Sequence, residues 1–189
     1  MANTNELYAH FASTTTKSTP FMTLSAGTDV AKLVFAGTAV ASKYHAMELL
    51  SEIPIIGLSS TGQQDVLRYG FLTLDEGQQL HLYSLPEQMP ESVKEEVVEN
   101  ALGMVLLLDN ARVDPLADLQ RYLTEFEELI SDTALVIGVV NAERGQTMLR
   151  QYHEMLHQYG YITPVFEVNA SHGYDIRLMI NALITVLDI

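Results

Sequence analysis

The chain has 189 residues, 48% of them hydrophobic, and carries 24 acidic against 10 basic side chains for a formal net charge of −14. That length suits one well-buried domain and is short for two, while the acidic surface argues against nucleic acid and anionic membranes as partners. The absence of cysteine excludes disulfides and thiolate chemistry, no apolar stretch reaches the ~18–20 residues of a membrane span, and no basic-then-apolar leader opens the chain, so the expected location is cytoplasmic.

In chain order, residues 1–28 are rich in Ser and Thr, with STTTKSTP at 13–20. They read as an extension outside the core, with a short helix around Glu6–Phe11. A strand is predicted at 31–37 and a helix at 42–51, ended by Ile53-Pro54 because the residue before proline is pushed out of the helical region. A polar loop from Ser59 to Gln64 leads to VLRYGFLTL (66–74). Asp75-Glu76-Gly77 then turns the chain into the alternating LHLYSL (80–85), and the two runs read as an antiparallel hairpin. ESVKEEVV (91–98) predicts a short acidic helix, and GMVLLLDN (103–110) a central strand covered on both faces.

Asp114-Pro115 supplies an N-cap and a first-turn proline, after which Leu116, Leu119, Leu123, Phe126 and Ile130 recur on one helical face. ALVIGVV (134–140) is a further buried strand, and a helix at 144–159 stops at Gly160. YITPVFEV (161–168) reads as a strand and 173–188 as the closing helix. Strand–helix alternation after a hairpin predicts an α/β domain over residues 29–189, with a mostly parallel central sheet, one antiparallel hairpin and helices on both faces. Residues 85–130 hold 11 acids and 3 bases, either a solvated acidic face or a docking surface for a basic partner.

The stretch AKLVFAGTAVASKYHAMELL (31–50) has the layout of a phosphate-binding loop, G-x-x-x-x-G-K-[ST] between strand and helix. Gly37 and Lys43 are in place, but Ser42 stands where the second Gly belongs and Tyr44 where the Ser/Thr belongs. The loop follows the first strand, at the strand end where open α/β sheets bind ligands.

Taken together, the loop at 37–44, RYGFLTLDEG, LHLYSLPEQ, ALGMVLLLDNARVDPLADL and VIGVVNAE form a series that resembles the small Ras-like GTPases. The resemblance is closest to the bacterial MglA-like and conservon-associated group and covers about residues 31–189. It implies a Ras-like P-loop fold, with the phosphate loop on Gly37–Tyr44. Ser42 places a Cβ toward the phosphate, and Tyr44 replaces the Mg²⁺-holding hydroxyl with a ring. In the first-switch region Gln63 and Gln64 stand near the family threonine, with Thr61 close by. The second switch falls on Ser84-Leu85-Pro86-Glu87-Gln88: Pro86 and Gln88 are kept, and Gln88 is the residue that would orient water in an active enzyme. Glu87 replaces the glycine whose N–H approaches the terminal phosphate. The guanine-reading motif falls on Val140-Asn141-Ala142-Glu143, and of the last base-supporting motif, at Asn169-Ala170-Ser171, only Ala170 matches.

The resemblance therefore implies a pseudo-GTPase that works through protein contacts, without GTP hydrolysis, bound metal or cofactor. Its expected partner is a roadblock-type protein on the hairpin and the Pro86–Glu99 region. The alternative is a divergent switch that still binds GTP or GDP, through Gly37, Ser42, Lys43, Tyr44, Pro86, Glu87, Asn141, Glu143 and Ala170. A remote third reading comes from His153-Glu154-Met155-Leu156-His157, a literal H-E-x-x-H in which two histidines on one helical face bind zinc and Glu154 acts as base.

Overall fold

Two strands of almost unbroken Leu, Val and Ala form the centre of a seven-stranded sheet: β1 (Ala31–Ala36) and β5 (Ala101–Asp109). The computed structural model describes residues 31–58, 65–73, 79–142, 146–169 and 172–187. The 1–28 extension, the Ser59–Gln64 loop with Thr61, the Asp75-Glu76-Gly77 turn, Glu143, Ala170 and Ser171 lie outside the described residues. The other strands are β2 (Ile56–Gly57), β3 (Arg68–Thr73), β4 (Gln79–Ser84), β6 (Ala134–Val140) and β7 (Val165–Glu167), in the order β2-β3-β4-β1-β5-β6-β7. Pairings β1 with β4 and β5, β5 with β6, and β6 with β7 are parallel. β3 runs antiparallel to both β2 and β4.

Because strand side chains alternate between faces, consecutive residues of β1 feed two separate cores. Val34 and Ala36 join Met104, Leu106 and Leu108 on one face; Leu33 and Phe35 join Val105 and Leu107 on the other. The first face is covered by helices α2 (Glu91–Val98), α3 (Pro115–Glu125), α4 (Glu127–Asp132) and α5 (Gln146–Gln158), and the second by α1 (Val40–Leu50) and α6 (Gly173–Leu187). Fully burying one such Leu or Val side chain stabilises by about 1.5–3 kcal/mol, so the two cores account for the near-continuous apolar runs. The mixed α/β class, the mostly parallel sheet and the single long hairpin agree with the sequence reading. None of the described helices is long and apolar enough to cross a membrane.

Several boundaries are set by caps. The Asp114 carboxylate accepts the Ala117 N–H at 2.9 Å, with Pro115 as the first helical residue. At the end of α5, Gly160 takes φ +81°, the Gly160 N–H donates to the His157 carbonyl and the Tyr161 N–H to the Leu156 carbonyl, the paired bonds of a glycine-terminated helix.

Four expectations need correction. The helix expected at 42–51 begins two residues earlier, at Val40, and ends at Leu50 rather than at Ile53-Pro54. The helical face running from Leu116 to Ile130 is broken at Phe126 (φ −114°, ψ 24°), whose ring stacks on Tyr122 and takes the Lys94 ammonium 5.4 Å from its centroid. The strand expected over 161–168 narrows to Val165–Glu167, since Thr163 turns its hydroxyl to the Leu135 carbonyl. The edge strand β2, beyond the hairpin, was not anticipated: two residues carry too little pattern to read.

Candidate functional site

With β1, β4, β5 and β6 parallel, their C-terminal ends meet along one edge of the sheet. The segments after Ala36, Ser84, Asp109 and Val140 gather there, the place where ligands bind in such sheets. The β1–α1 connection is only Gly37, Thr38 and Ala39. A Cβ on Gly37, at φ +114°, would lie 2.1 Å from the Leu107 carbonyl oxygen, so only glycine passes this point. Polar groups of the connection are used internally. The Ala39 N–H donates to the Leu107 carbonyl at 3.1 Å, the Val40 N–H to the Thr38 carbonyl at 3.0 Å, and the Thr38 hydroxyl accepts the Asp109 N–H at 2.9 Å.

Early entry into α1 decides where the sequence-predicted residues fall. Ser42 lies within the first helical turn rather than in a loop, and Tyr44 carries the Arg68 guanidinium 4.4 Å from its ring centroid. Glu48 hydrogen-bonds the Tyr44 hydroxyl and pushes its pKa up. Lys43 is 0% exposed, against the solvated position usual for a lysine at a helix start. Its ammonium donates to the Leu85 carbonyl at 2.6 Å and stands 3.6 Å from the Asp65 carboxylate. Burial holds the Lys43 pKa below its ordinary value; Asp65 and Glu87 oppose that shift.

The segment after β4 is fixed from two sides. The Glu87 N–H donates to the second oxygen of Asp65 at 2.7 Å. The Glu87 carboxylate faces the other way, to Arg112 at 3.0 Å and Arg121 at 3.7 Å, and Asp118 bridges the same two arginines at 2.9 and 3.5 Å. Pro86 is half-buried and Gln88 exposed; both border a cavity of ≈ 210 Å³ floored by Lys94, Tyr122 and Phe126. That volume is below the ~300–1,000 Å³ of sites for drug-sized ligands, and Lys43 is not among its walls.

At the β6 end, Asn141 takes φ +54° and its side-chain amide donates to the Asp109 carboxylate at 2.8 Å, which also accepts the Ala111 N–H at 2.9 Å. The Tyr152 hydroxyl donates to Asn110 at 3.1 Å. Among the described residues the end of β6 is thus tied to the end of β5 by hydrogen bonds within the chain. Glu143 and Ala170 fall outside the described residues.

No protein-family model matches the chain, and no curated protein matches it significantly. What the site does is read from its residues.

On α5, His153, Glu154 and His157 are exposed, and Glu154 accepts from Arg150 at 2.7 Å. Among the described residues no three His, Asp or Glu side chains converge as a metal site. Sequence reading missed Asp65, Arg112 and Arg121. Asp65 is an unremarkable acid before a strand, and the two arginines are surface residues on α3 and its approach. No local signal in the sequence marks them: the Lys43–Asp65 and Glu87–arginine pairs join segments far apart in the chain.

Proposed function

We propose that this chain is a Ras-like domain that has kept the architecture of a GTPase and given up its nucleotide, a pseudo-GTPase acting through protein contacts. One observation carries the reading. The lysine that would meet a phosphate is fully buried and held by the Leu85 carbonyl and Asp65, an arrangement that leaves a nucleotide nothing to displace except protein. Three further features support it. The connection from β1 to α1 is three residues, too short to wrap phosphates before the helix begins. The segment after β4 is already engaged by protein, its Glu87 N–H by Asp65 and its Glu87 carboxylate by Arg112 and Arg121, and Asn141 is occupied by Asp109. The sheet order, with one antiparallel hairpin on a parallel sheet, agrees with the fold that the resemblance implies.

The domain's working surface is then the β3–β4 hairpin with Pro86–Glu99, the region a roadblock-type partner would contact. Glu87 ties this segment to Arg112, on the approach to α3, and to Arg121 of α3.

Isothermal titration calorimetry of the purified chain with GTP, GDP and ATP, with and without Mg²⁺, tests the reading. The expected result is no measurable heat of binding for any of the three. Micromolar Mg²⁺-dependent binding of GTP or GDP would overturn it in favour of a nucleotide switch.

A further inference from the structure

Lys43 and Glu87 meet on one carboxylate. The Asp65 side chain offers Oδ1 to the Lys43 ammonium at 3.6 Å and takes the Glu87 N–H on Oδ2 at 2.7 Å. A buried ammonium and a backbone amide, converging from two segments, make the donor set of an oxyanion site. We propose that Asp65 is the resident anion of such a site: the chain fills with its own carboxylate a position that accepts a phosphate-class oxyanion when the carboxylate is removed. The proposal deepens the pseudo-GTPase reading and rests on it, because it takes the β1–α1 connection as a former phosphate position.

Three physical points lead there. A lysine with 0% exposure needs a counter-charge, since an unpaired buried ammonium is strongly disfavoured. Asp65 is the carboxylate in ion-pair contact with it and belongs to a different segment, the approach to β3. Next, the 3.6 Å separation is longer than a hydrogen bond. The facing Oδ1 is buried and takes no hydrogen bond among the described residues, so the carboxylate does not use the lysine's donors fully. Finally, Asp65 fastens the segment after β4, whose Leu85 carbonyl and Glu87 N–H both point to the Lys43–Asp65 pair while the Glu87 side chain points out to Arg112 and Arg121. Moving this segment breaks all of these contacts together. Asp65 therefore makes, from within the chain, the contacts through which an anion at this position would tie the Leu85–Glu87 segment to the buried lysine.

The test is rescue by inorganic phosphate. Thermal unfolding of the wild type, Asp65→Ala and Asp65→Asn is followed in sodium phosphate and in sodium chloride of matched ionic strength. The Glu87 amide resonance is followed in parallel by ¹⁵N NMR. The wild type should be indifferent to the choice of anion. Asp65→Ala should melt at least about 4 °C lower in chloride and regain part of that loss in phosphate, with a saturable shift of the Glu87 amide. Adding Lys43→Met should abolish the rescue. Should Asp65→Ala not fold in chloride, refolding in phosphate reads the same effect. Asp65→Asn keeps the side-chain shape, removes the charge, and gives a second folded variant.

Asp65 variants indifferent to phosphate, or a wild type that binds phosphate as well as they do, would overturn the proposal. Nucleotide titration separates the two readings. A wild type silent toward GTP with no phosphate rescue in the variants sinks only the resident-anion proposal. A wild type that binds Mg²⁺–GTP overturns both, because the position is then open to phosphate with Asp65 in place.

Discussion

Removing either member of the Lys43–Asp65 pair should have unequal effects, and the inequality follows from burial. At 3.6 Å and an effective dielectric of about 20, the pair attracts by about 4–5 kcal/mol, an energy offset by the desolvation of both groups. Asp65→Asn keeps the side-chain oxygen that accepts the Glu87 N–H but leaves the ammonium, at 0% exposure, without its ion-pair carboxylate while still donating to the Leu85 carbonyl. Stranding a buried charge costs about 3–5 kcal/mol; we expect about 3 kcal/mol here, because the Asp65 side chain is 24% exposed and lets the variant relax toward solvent on that side. Lys43→Met keeps the apolar stem and removes the desolvated charge. It leaves the Leu85 carbonyl without its donor, which costs about 1–3 kcal/mol, and leaves without its ion pair an Asp65 side chain that is 24% exposed overall although its Oδ1 is buried. The net loss should be about 1 kcal/mol.

The double variant should therefore be more stable than Asp65→Asn alone, with a coupling of about 1.5–2 kcal/mol in a urea-unfolding cycle. The pH dependence supplies a second check. Burial already holds Lys43 below 10.5, so the unfolded chain keeps its proton to higher pH and stability rises as pH approaches 10.5. In Asp65→Asn the lysine can escape by losing its proton, so the penalty should shrink as pH rises toward 10.5. A milder effect for Asp65→Asn than for Lys43→Met, or strictly additive single effects, would refute the reasoning.

Two glycines with positive φ separate steric from conformational cost. Gly37→Ala drives a Cβ to 2.1 Å from a backbone oxygen and should cost more than about 3 kcal/mol or abolish folding, whereas Gly160→Ala, at φ +81° with nothing within 4 Å, should cost only the ~1–2 kcal/mol of left-handed strain; melting temperatures of the two variants check the contrast. At high pH, burial pushes Tyr69, Tyr122 and Tyr152 up to about 12. Because the unfolded chain ionises these groups near pH 10, their contribution is complete below pH 10 and is lost as pH rises through 12, by about 3 kcal/mol for each two-unit shift. Tyrosinate absorbance during a base titration should therefore rise in two phases, exposed rings first and buried rings together with loss of helical circular dichroism; a single phase near pH 10 with the fold intact would contradict it.

Much of the fold could be read directly. ALVIGVV and ESVKEEVV coincide with β6 and α2 at both ends, because an unbroken apolar run and a proline-bounded acidic run have few other stable forms. Asp114-Pro115 starts a helix for local reasons that tertiary packing did not alter. Less was legible where long-range contacts decide. Leu116 to Ile130 keeps one apolar face by periodicity, yet the packing of Phe126 against Tyr122 and Lys94 divides it into two helices.

The stretch around Gly37 and Lys43 marks that division most clearly. By itself the sequence determined that a glycine ends β1 and that a lysine follows at phosphate-loop spacing. It also determined that Ser42 and Tyr44 depart from the residues that spacing calls for. Only the tertiary structure decided that α1 starts at Val40, that Lys43 is sealed from water, and that Asp65 and Glu87 reach the same point from segments 22 residues apart. A buried charge must find its partner wherever the fold brings one, and nothing local to Lys43 names a carboxylate two elements away.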